Sequence, residues 1–387
     1  MPDSVTPDPS VPDRLASGSA GPDPAASDRV DPDLVDAARI AAAHDRIRPY
    51  VVRTPLLELG DSGVILKAEN LQPSGAFKLR GASNSMLNLD VDQRRRGVVA
   101  HSSGNHAIAV AHVGRSLGIR TVVVMPSDAP QAKIDRTRDL GAVVELVAPD
   151  SSARTARARE LAESDGLVAV EPYDSELVLA ATATISTEIL EDLPAAQTDP
   201  PVIYVPVSGG GLAGGVALGA KLRDPRVRVV GVEPELAADA LASRQAGRRV
   251  AFSGEQMRRT LADGLRVQQV GAVTWPYLQT YLDDIVTVTE QEMLDAMRRI
   301  ALEAWLVAEP SGAVSVAAAL AGRGRVASAS QGTSTGQGTS AARGTSRGRV
   351  GSGGQRVSAS QRAVAIVTGG NVDPGLFADV LAGRLHG

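Results

Sequence analysis

The chain has 387 residues, a hydrophobic fraction of 43%, a formal net charge of −4 and no cysteine. The length indicates about two or three domains, and the charge gives no reason to expect a nucleic-acid partner. The lack of cysteine excludes disulfides, thiolate metal sites and cysteine nucleophiles. No apolar run approaches the roughly 18 residues of a membrane helix, and the acidic, proline-rich start does not resemble a secretory signal. We therefore expect a soluble cytoplasmic protein without a membrane partner.

Two segments have too few apolar residues to form a core. Residues 1–34 are mainly Pro, Asp, Ser, Ala and Gly, which predicts a disordered N-terminal tail. Residues 322–362 repeat Gly-Thr-Ser and carry arginines, but contain no acidic and no aromatic residue. We interpret this block as a flexible low-complexity insertion. An arm for an anionic partner is the alternative, which is disfavoured because nothing in the block can stack on bases.

The first chemically informative stretch is "KAENLQPSGAFKLRGAS", residues 67–83. It places Lys78 between Phe77 and Leu79, with glycines on either side. Most lysines are solvated surface charges. A lysine in an apolar pocket, however, has a lowered pKa and can serve as a nucleophile or form a Schiff base.

Beyond this stretch, β-branched runs alternate with alanine-rich segments. The runs at 122–126, 202–208, 227–234 and 363–370 are nearly continuously apolar, as strands buried on both faces should be. The segments at 105–118 and 151–166 are typical of helices. This order predicts an α/β fold with mostly parallel twisted sheets flanked by helices. Ligands bind at the carboxyl ends of the strands in such folds.

Two strand ends carry polar or glycine-rich loops. In "VVAHSSGNHAIAVA", residues 98–111, four polar side chains precede or begin a helix and could hold a carboxylate, although one of them could simply cap the helix. These are Ser102, Ser103, Asn105 and His106. In "VIYVPVSGGGLAGG", a strand ends at Ser208 and a helix begins near Leu212. The intervening Gly209, Gly210 and Gly211 could cradle a phosphate or could form only a tight turn.

Two further strand ends are of interest. Thr368 ends the last strand before Gly369 and Gly370, either as a site residue or as part of a turn. Glu233 and Asp239 follow another strand and, with a backbone carbonyl, would suit a hard cation. Acids at a helix N-terminus explain them equally well. A lysine, a phosphate cradle and a carboxylate loop together are what a pyridoxal-phosphate enzyme acting on an amino acid requires.

These motifs carry a family resemblance. The chain resembles the serine/threonine dehydratases, including serine racemase, of the tryptophan-synthase-β-like group (fold type II) of pyridoxal-phosphate enzymes. The lysine stretch matches almost letter for letter, and "SSGNHAIAVA", "PVSGGGLAGG", "RTLADGL", "AEPSGAVSVAAA" and "TGGN" follow in the family's order. The similarity covers residues 35–321 and 363–380.

The resemblance implies a role for each matching residue. Lys78 would be the Schiff-base lysine, with Phe77 beside the cofactor and Thr368, often serine in relatives, facing the ring nitrogen. The phosphate would be bound by the backbone N–H groups of Ser208, Gly209, Gly210, Gly211 and Leu212. Asn105 would bind the ring 3-hydroxyl, and the substrate carboxylate would lie among Ser102, Ser103, Asn105 and His106. Ser103 matches the serine acid of the racemases, and a cation would bind Glu233, Asp239 and the Ala237 carbonyl.

The implied architecture has two domains. We expect a large cofactor-binding domain from residues 35–95 and 168–387, and a small domain, 96–167, that carries the carboxylate loop. The implied activity is a threonine/serine ammonia-lyase acting on a small hydroxy amino acid. Serine racemase and 3-hydroxyaspartate dehydratase are the alternatives, and a homodimer or homotetramer is the expected assembly.

Overall fold

A computed structural model describes residues 35–102, 104–149, 151–193, 199–324 and 362–385 of the chain. The predicted N-terminal tail, Ser103 and most of the low-complexity block lie outside the described residues. Within the described ranges, no helix is long and apolar enough to cross a membrane.

The strands form two separate sheets. In chain order they are β1 Leu56–Glu58, β2 Val64–Lys67, β3 Val98–His101, β4 Thr121–Pro126, β5 Val143–Val147, β6 Val168–Ala169, β7 Val202–Pro206, β8 Arg228–Pro234, β9 Asp284–Val288 and β10 Ala363–Ile366. The larger sheet has the order β1-β2-β10-β7-β8-β9, and the smaller has the order β5-β4-β3-β6. Only the β1–β2 pair is antiparallel among these described strands.

Helices cover both sheets. They are α1 Ala37–Ile47, α2 Lys78–Leu87, α3 Val91–Arg96, α4 Asn105–Leu117, α5 Gln131–Asp139, α6 Ser151–Ser164, α7 Glu176–Asp192, α8 Gly211–Arg223, α9 Asp239–Ala246, α10 Gly254–Met257, α11 Trp275–Tyr281, α12 Glu290–Glu303, α13 Pro310–Leu320 and α14 Pro374–Leu381. Local signals set several helix starts. At α12, for example, Thr289 and Glu292 form a reciprocal capping box that satisfies two backbone N–H groups.

The larger sheet is buried on both faces. On β7, Val202 and Tyr204 belong to the core beneath α12 and α13, whereas Ile203 and Val205 belong to the core beneath α8. Successive side chains of a strand point to opposite faces, so an almost continuously apolar run is what two covered faces require. The predicted α/β class with mostly parallel sheets is confirmed.

The smaller sheet is formed by consecutive chain segments. Its strands run from Val98 to Ala169, and all of its pairs are parallel. The last strand lies just beyond residue 167, where the sequence places the end of the small domain. Because the two sheets share no strand, the loops at their carboxyl ends can face each other across a cleft.

The first residues of the low-complexity block are packed on the larger sheet. The hydroxyl of Tyr204 donates to the carbonyl of Arg323 at 2.6 Å, and the Arg323 guanidinium donates to Glu292 Oε2 at 3.0 Å. Arg228 likewise donates to the Gly324 carbonyl at 3.1 Å. The ordered end of α13 therefore extends to residue 324, and residues 325–361 lie outside the described part of the chain.

Candidate active site

A cavity of about 440 Å³ lies between the loops that follow β3, β7 and β10. Its volume is in the range of small-molecule sites. Its lining brings together nearly all residues that the sequence predicts for the cofactor and the substrate. They are Phe77, Lys78, Ser102, Asn105, His106, Ser208, Gly209, Gly210, Gly211, Leu212 and Thr368.

Lys78 begins helix α2 at the floor of this cavity and is half-buried. Its Nζ atom donates to the carbonyl oxygen of Pro172 at 2.7 Å and lies 5.1 Å from the centre of the Phe77 ring. Desolvation lowers the pKa of this amine to about 8, because no carboxylate compensates for the loss of water. A substantial share of the amine is therefore neutral and nucleophilic near neutral pH.

The glycine loop between β7 and α8 is shaped for an anion. Ser208 and Gly210 have φ values of +52° and +93°, a left-handed conformation that is strained for serine. The Gly210 N–H closes a turn on the Val207 carbonyl at 3.1 Å. The next N–H groups, at Gly211 and Leu212, belong to the first turn of α8 and have no carbonyl within the helix to bind. They point the positive end of the helix at the cavity.

A side chain at Gly209 would fill this cradle. A Cβ atom built there would lie 2.3 Å from Cδ2 of Tyr173, whose ring covers the loop. Asp174 holds this covering segment in place, because its carboxylate accepts from the backbone N–H groups of Val273 and Thr274 at 2.8 and 3.1 Å. Tyr173 and Asp174 are not among the residues that the sequence predicts, since neither belongs to a recognisable motif.

The carboxylate loop follows β3 and leads into α4. Ser102 Oγ accepts from the Gly104 N–H at 3.0 Å, and Asn105 is the first residue of α4. The ring of His106 is buried, and its Nε2 lies 3.0 Å from the carbonyl oxygen of Val170. Burial lowers the pKa of His106 to about 3. The ring is therefore neutral, and Nε2 carries its proton because a carbonyl oxygen only accepts.

Thr368 lies at the end of β10 and is buried. Its hydroxyl lies 3.3 Å from the carbonyl of Ser311, and its own carbonyl accepts from the Phe77 N–H at 3.0 Å. This last contact fixes the start of α2 relative to β10. The hydroxyl of Thr368 and the amine of Lys78 consequently line the same cavity.

Four charged or polar residues form a second network at the cavity wall. Lys133 Nζ lies 2.6 Å from Asp263 Oδ2 and 3.3 Å from Glu309 Oε2. Glu309 also accepts from the side-chain amide of Asn105, whose oxygen accepts from Asn371 Nδ2 at 2.8 Å. Asp263, Glu309 and Asn371 occur in the motifs "RTLADGL", "AEPSGAVSVAAA" and "TGGN", but their roles depend on contacts between distant segments.

The predicted cation ligands lie outside the cavity lining and form their own cluster. Glu233 ends β8 and accepts from the N–H groups of Ala240 and Leu241 at 3.1 and 2.8 Å, which caps α9. Ala237 and Asp239 follow in the intervening turn and at the start of α9, and neither carboxylate oxygen of Asp239 has a hydrogen-bond partner. Burial raises the pKa of Asp239 to about 7, and burial together with Asp239 raises that of Glu233.

This chemistry fits a cation. Two buried oxygens without a donor are costly unless a proton or a metal ion satisfies them. The described residues contain no group of three or more His, Cys, Asp and Glu side chains that could hold a metal. A cation here would therefore need the Ala237 carbonyl or water as further ligands.

A buried ionic cluster lies beneath the start of α2. Lys67 Nζ lies 2.6 Å from Glu188 Oε2, and Arg80 binds Glu69 and Glu188 at 2.8 and 2.7 Å. All four side chains are at most 3% exposed. Arg80 lies two residues after Lys78, so this cluster anchors the helix that carries the amine.

The family model for pyridoxal-phosphate dependent enzymes matches residues 47–332 of the chain. The chain belongs to this family. Its members use pyridoxal phosphate, so the lysine, the glycine loop and the carboxylate loop are found in a cavity of the kind that such an enzyme needs.

Curated relatives of this family member fall into two activities. Serine racemase from Arabidopsis thaliana is 38% identical over 291 residues, which cover 74% of this chain and 86% of that protein. L-threonine ammonia-lyase from Thermotoga maritima is 42% identical over 265 residues, which cover 68% of this chain and 64% of that protein. The chain is thus similar to both racemases and lyases.

Solved structures divide in the same way. Maize serine racemase superimposes with a TM-score of 0.75 at 33% identity, covering 90% of this chain and 98% of that chain. A bacterial-type threonine deaminase, from the source abbreviated T.th., gives a TM-score of 0.73 at 33% identity, covering 88% and 99%. The predicted fold type II architecture and the predicted family are confirmed.

Proposed function

We propose that this pyridoxal-phosphate dependent enzyme is a threonine/serine ammonia-lyase. It would convert L-threonine or L-serine to 2-oxobutanoate or pyruvate and release ammonia. The observation that carries the proposal is the placement of Lys78. Its amine has a pKa lowered to about 8 and shares one cavity with the start of α8 and the carboxylate loop.

The residues present fit the cofactor. Lys78 would hold pyridoxal phosphate covalently, with Phe77 beside it and the side chain of Asn105 at the ring hydroxyl. The phosphate would lie on the loop from Ser208 to Leu212, where a Cβ at Gly209 would leave no room. Thr368 would offer a hydroxyl to the ring nitrogen. A hydroxyl, unlike a carboxylate, leaves that nitrogen unprotonated.

The substrate carboxylate would bind at the N-terminus of α4. Ser102 and Asn105 supply side-chain groups there, and the first N–H groups of α4 have no partner within the helix. The His106 ring donates to Val170, so its other nitrogen carries no proton. His106 therefore contributes its backbone N–H rather than an imidazolium charge.

Lys78 would then act as the base. Its neutral Nζ takes the proton from Cα of the bound amino acid. When bound, pyridoxal phosphate supplies an electron sink for the negative charge at Cα. The β-hydroxyl leaves with a proton as water, and hydrolysis of the released enamine consumes water and yields the 2-oxo acid and ammonia. Because Thr368 limits the build-up of negative charge, elimination is favoured over transamination.

The test is 2-oxo acid release from L-threonine by the protein loaded with pyridoxal phosphate, with Lys78→Ala as the control. We expect steady release from the wild type and none from the variant. Visible absorption of the bound cofactor should also disappear in Lys78→Ala. A wild type that binds the cofactor but releases no 2-oxo acid from threonine or serine would contradict the proposal.

Serine racemase is the second candidate, since several of the most similar curated proteins are serine racemases. Racemisation needs an acid on the face opposite Lys78. The sequence predicts Ser103 for this role, and Ser103 lies outside the described residues. D-serine formed from L-serine faster than pyruvate would make racemisation the main activity.

A 3-hydroxyaspartate dehydratase is supported by one feature of the cavity. Arg154 of α6 lines it, and the charge of this guanidinium contributes to the lowered pKa of His101 on the same wall. A guanidinium there could receive a second carboxylate. A higher kcat/KM for 3-hydroxyaspartate than for threonine would select this substrate.

Three finer features complete the proposal. A cation would bind at Glu233, Asp239 and the Ala237 carbonyl, remote from the cavity lining. The enzyme would be a homodimer or homotetramer located in the cytoplasm, without nucleic-acid or membrane partners. Light scattering of the purified protein measures the assembly, and a monomeric mass would contradict it.

A further inference from the structure

Lys133 joins the two sheet units of the enzyme at the edge of the cavity. It lies in α5, which packs on the smaller sheet, whereas Asp263 and Glu309 belong to segments of the larger sheet unit. The side chain of Lys133 is 7% exposed, and both acids raise its pKa although burial opposes this. The ammonium is therefore charged and held between two carboxylates of the other unit.

The stem of Lys133 supports the carboxylate loop directly. A Cβ atom built at Gly104 would lie 2.6 Å from Lys133 Cδ and 3.2 Å from its Nζ. Only a glycine lets the loop rest on this side chain. Lys133 thus contacts the loop with its stem while its ammonium is bound to the larger sheet unit.

Glu309 connects the same ammonium to Asn105. One oxygen of this buried carboxylate faces Lys133, and the other accepts from Asn105 Nδ2. Asn105 Oδ1 in turn accepts from Asn371 Nδ2 at 2.8 Å. The amide of Asn105 is therefore held from both ends in one orientation, with one N–H of Nδ2 left to point elsewhere.

We propose that Lys133 and Glu309 are positioning residues for the reaction. Lys133 holds the carboxylate loop against the larger sheet unit, and Glu309 orients Asn105 toward the ring hydroxyl of the cofactor. This inference rests on the proposed function. It adds that affinity for the amino acid depends on an ion pair that contacts no substrate atom.

Loss of the ammonium should weaken substrate binding more than it slows the chemistry. If the loop is in its binding position for only a fraction of the time, the apparent affinity falls by that fraction. Lys133→Met keeps the stem beneath Gly104 and removes the charge. We expect KM for L-threonine to rise about tenfold and kcat to change less than about threefold.

Lys221→Met is the matched control. Lys221 is also a partly buried lysine, and its Nζ lies 2.9 Å from Asp283, remote from the cavity lining. Backbone hydrogen exchange is measured in both holoenzymes over residues 99–110. It should become faster in Lys133→Met and stay at the wild-type rate in Lys221→Met. An unchanged KM in Lys133→Met, or the same change in both variants, overturns the role of Lys133.

Glu309 is tested by the absorption spectrum of the bound cofactor. Glu309→Gln keeps an oxygen for Asn105, whereas Glu309→Leu does not. We expect the visible band to shift in Glu309→Leu and to keep its wild-type position in Glu309→Gln. Identical spectra for all three proteins overturn the orienting role. Should Glu309→Leu fail to fold, Asn371→Leu removes the other partner of Asn105 and is expected to shift the band.

These measurements separate the inference from the proposed function. Hydrogen exchange and the absorption band need no turnover of threonine. If the wild type releases no 2-oxo acid, the proposed function fails, while a faster-exchanging loop in Lys133→Met still supports the clamp. If threonine is turned over normally by Lys133→Met, only the inference fails.

Discussion

The amine of Lys78 donates a 2.7 Å hydrogen bond to the backbone carbonyl of Pro172, a residue 94 positions later in the chain. The next residue, Tyr173, covers Gly209 of the glycine loop. One short segment therefore contacts both the reactive amine and the expected phosphate cradle. Asp174 secures this segment by accepting N–H groups at the start of α11.

Cofactor capture by Lys78 should depend on pH with a midpoint near 8. Burial lowers the pKa of this amine from 10.5 to about 8, and only the neutral amine attacks an aldehyde. Between about pH 6.5 and 8 the attachment rate should therefore rise about tenfold per pH unit, and it should level off above about pH 8. The measurement is the growth of visible absorption after pyridoxal phosphate is added to cofactor-free protein.

A simple alkylamine, measured over the same pH range, corrects for titration of the cofactor itself. A rate that keeps rising in proportion to hydroxide up to about pH 10 would show an ordinary lysine and contradict the lowered pKa.

Gly209→Ala should weaken binding of pyridoxal phosphate by at least about tenfold. The added Cβ would meet the Tyr173 ring at 2.3 Å, a distance that forces the ring or the loop to move. Absorption titration gives the affinity. The double variant Gly209→Ala, Tyr173→Ala removes the collision and should recover part of it. Equal affinity in Gly209→Ala and the wild type would show that the loop does not hold the phosphate.

Arg80→Met should lower the free energy of unfolding by about 3–5 kcal/mol, since it leaves two buried carboxylates without their cation. These are Glu69 and Glu188, which Arg80 binds at 2.8 and 2.7 Å. Arg53→Met removes a guanidinium from an exposed pair with Glu191 and Asp192 and should cost less than about 1 kcal/mol. Urea unfolding compares the two, and similar losses would contradict a structural role for the buried cluster.

A divalent cation should stabilise the wild type through Asp239. The unpartnered carboxylate gains ligands on binding, and a site at about 100 times its Kd adds about 2.7 kcal/mol to the free energy of unfolding. The melting temperature with Mg²⁺ or Mn²⁺ should exceed that with a chelator, and Asp239→Asn should show no difference.

The cation effect should also depend on pH. The pKa of Asp239 is raised to about 7, so protons compete with the cation below about pH 7 and the stabilisation should shrink there. Equal melting temperatures with metal and with chelator at about pH 8 would exclude the cation.

The sequence by itself determined the class of fold and the principal site residues. Apolar runs such as 202–208 could only be strands with both faces covered, since the period of a strand puts alternate residues on opposite faces. Lys78 and the glycines after Ser208 were predictable because their chemistry is local. An apolar setting defines a reactive amine, and a left-handed turn before a helix defines an anion site.

Only the tertiary structure decided which residues support these groups. Lys133 meets Asp263 across 130 positions of sequence, and Asn105 meets Glu309 across 204. Neither segment carries a local pattern that indicates its partner, because ion pairs and hydrogen bonds depend on distance in space. The same holds for His106, whose polar ring indicated a ligand contact until burial against Val170 showed that it is neutral. Local chemistry is therefore legible in the sequence, whereas charge state and orientation depend on packing.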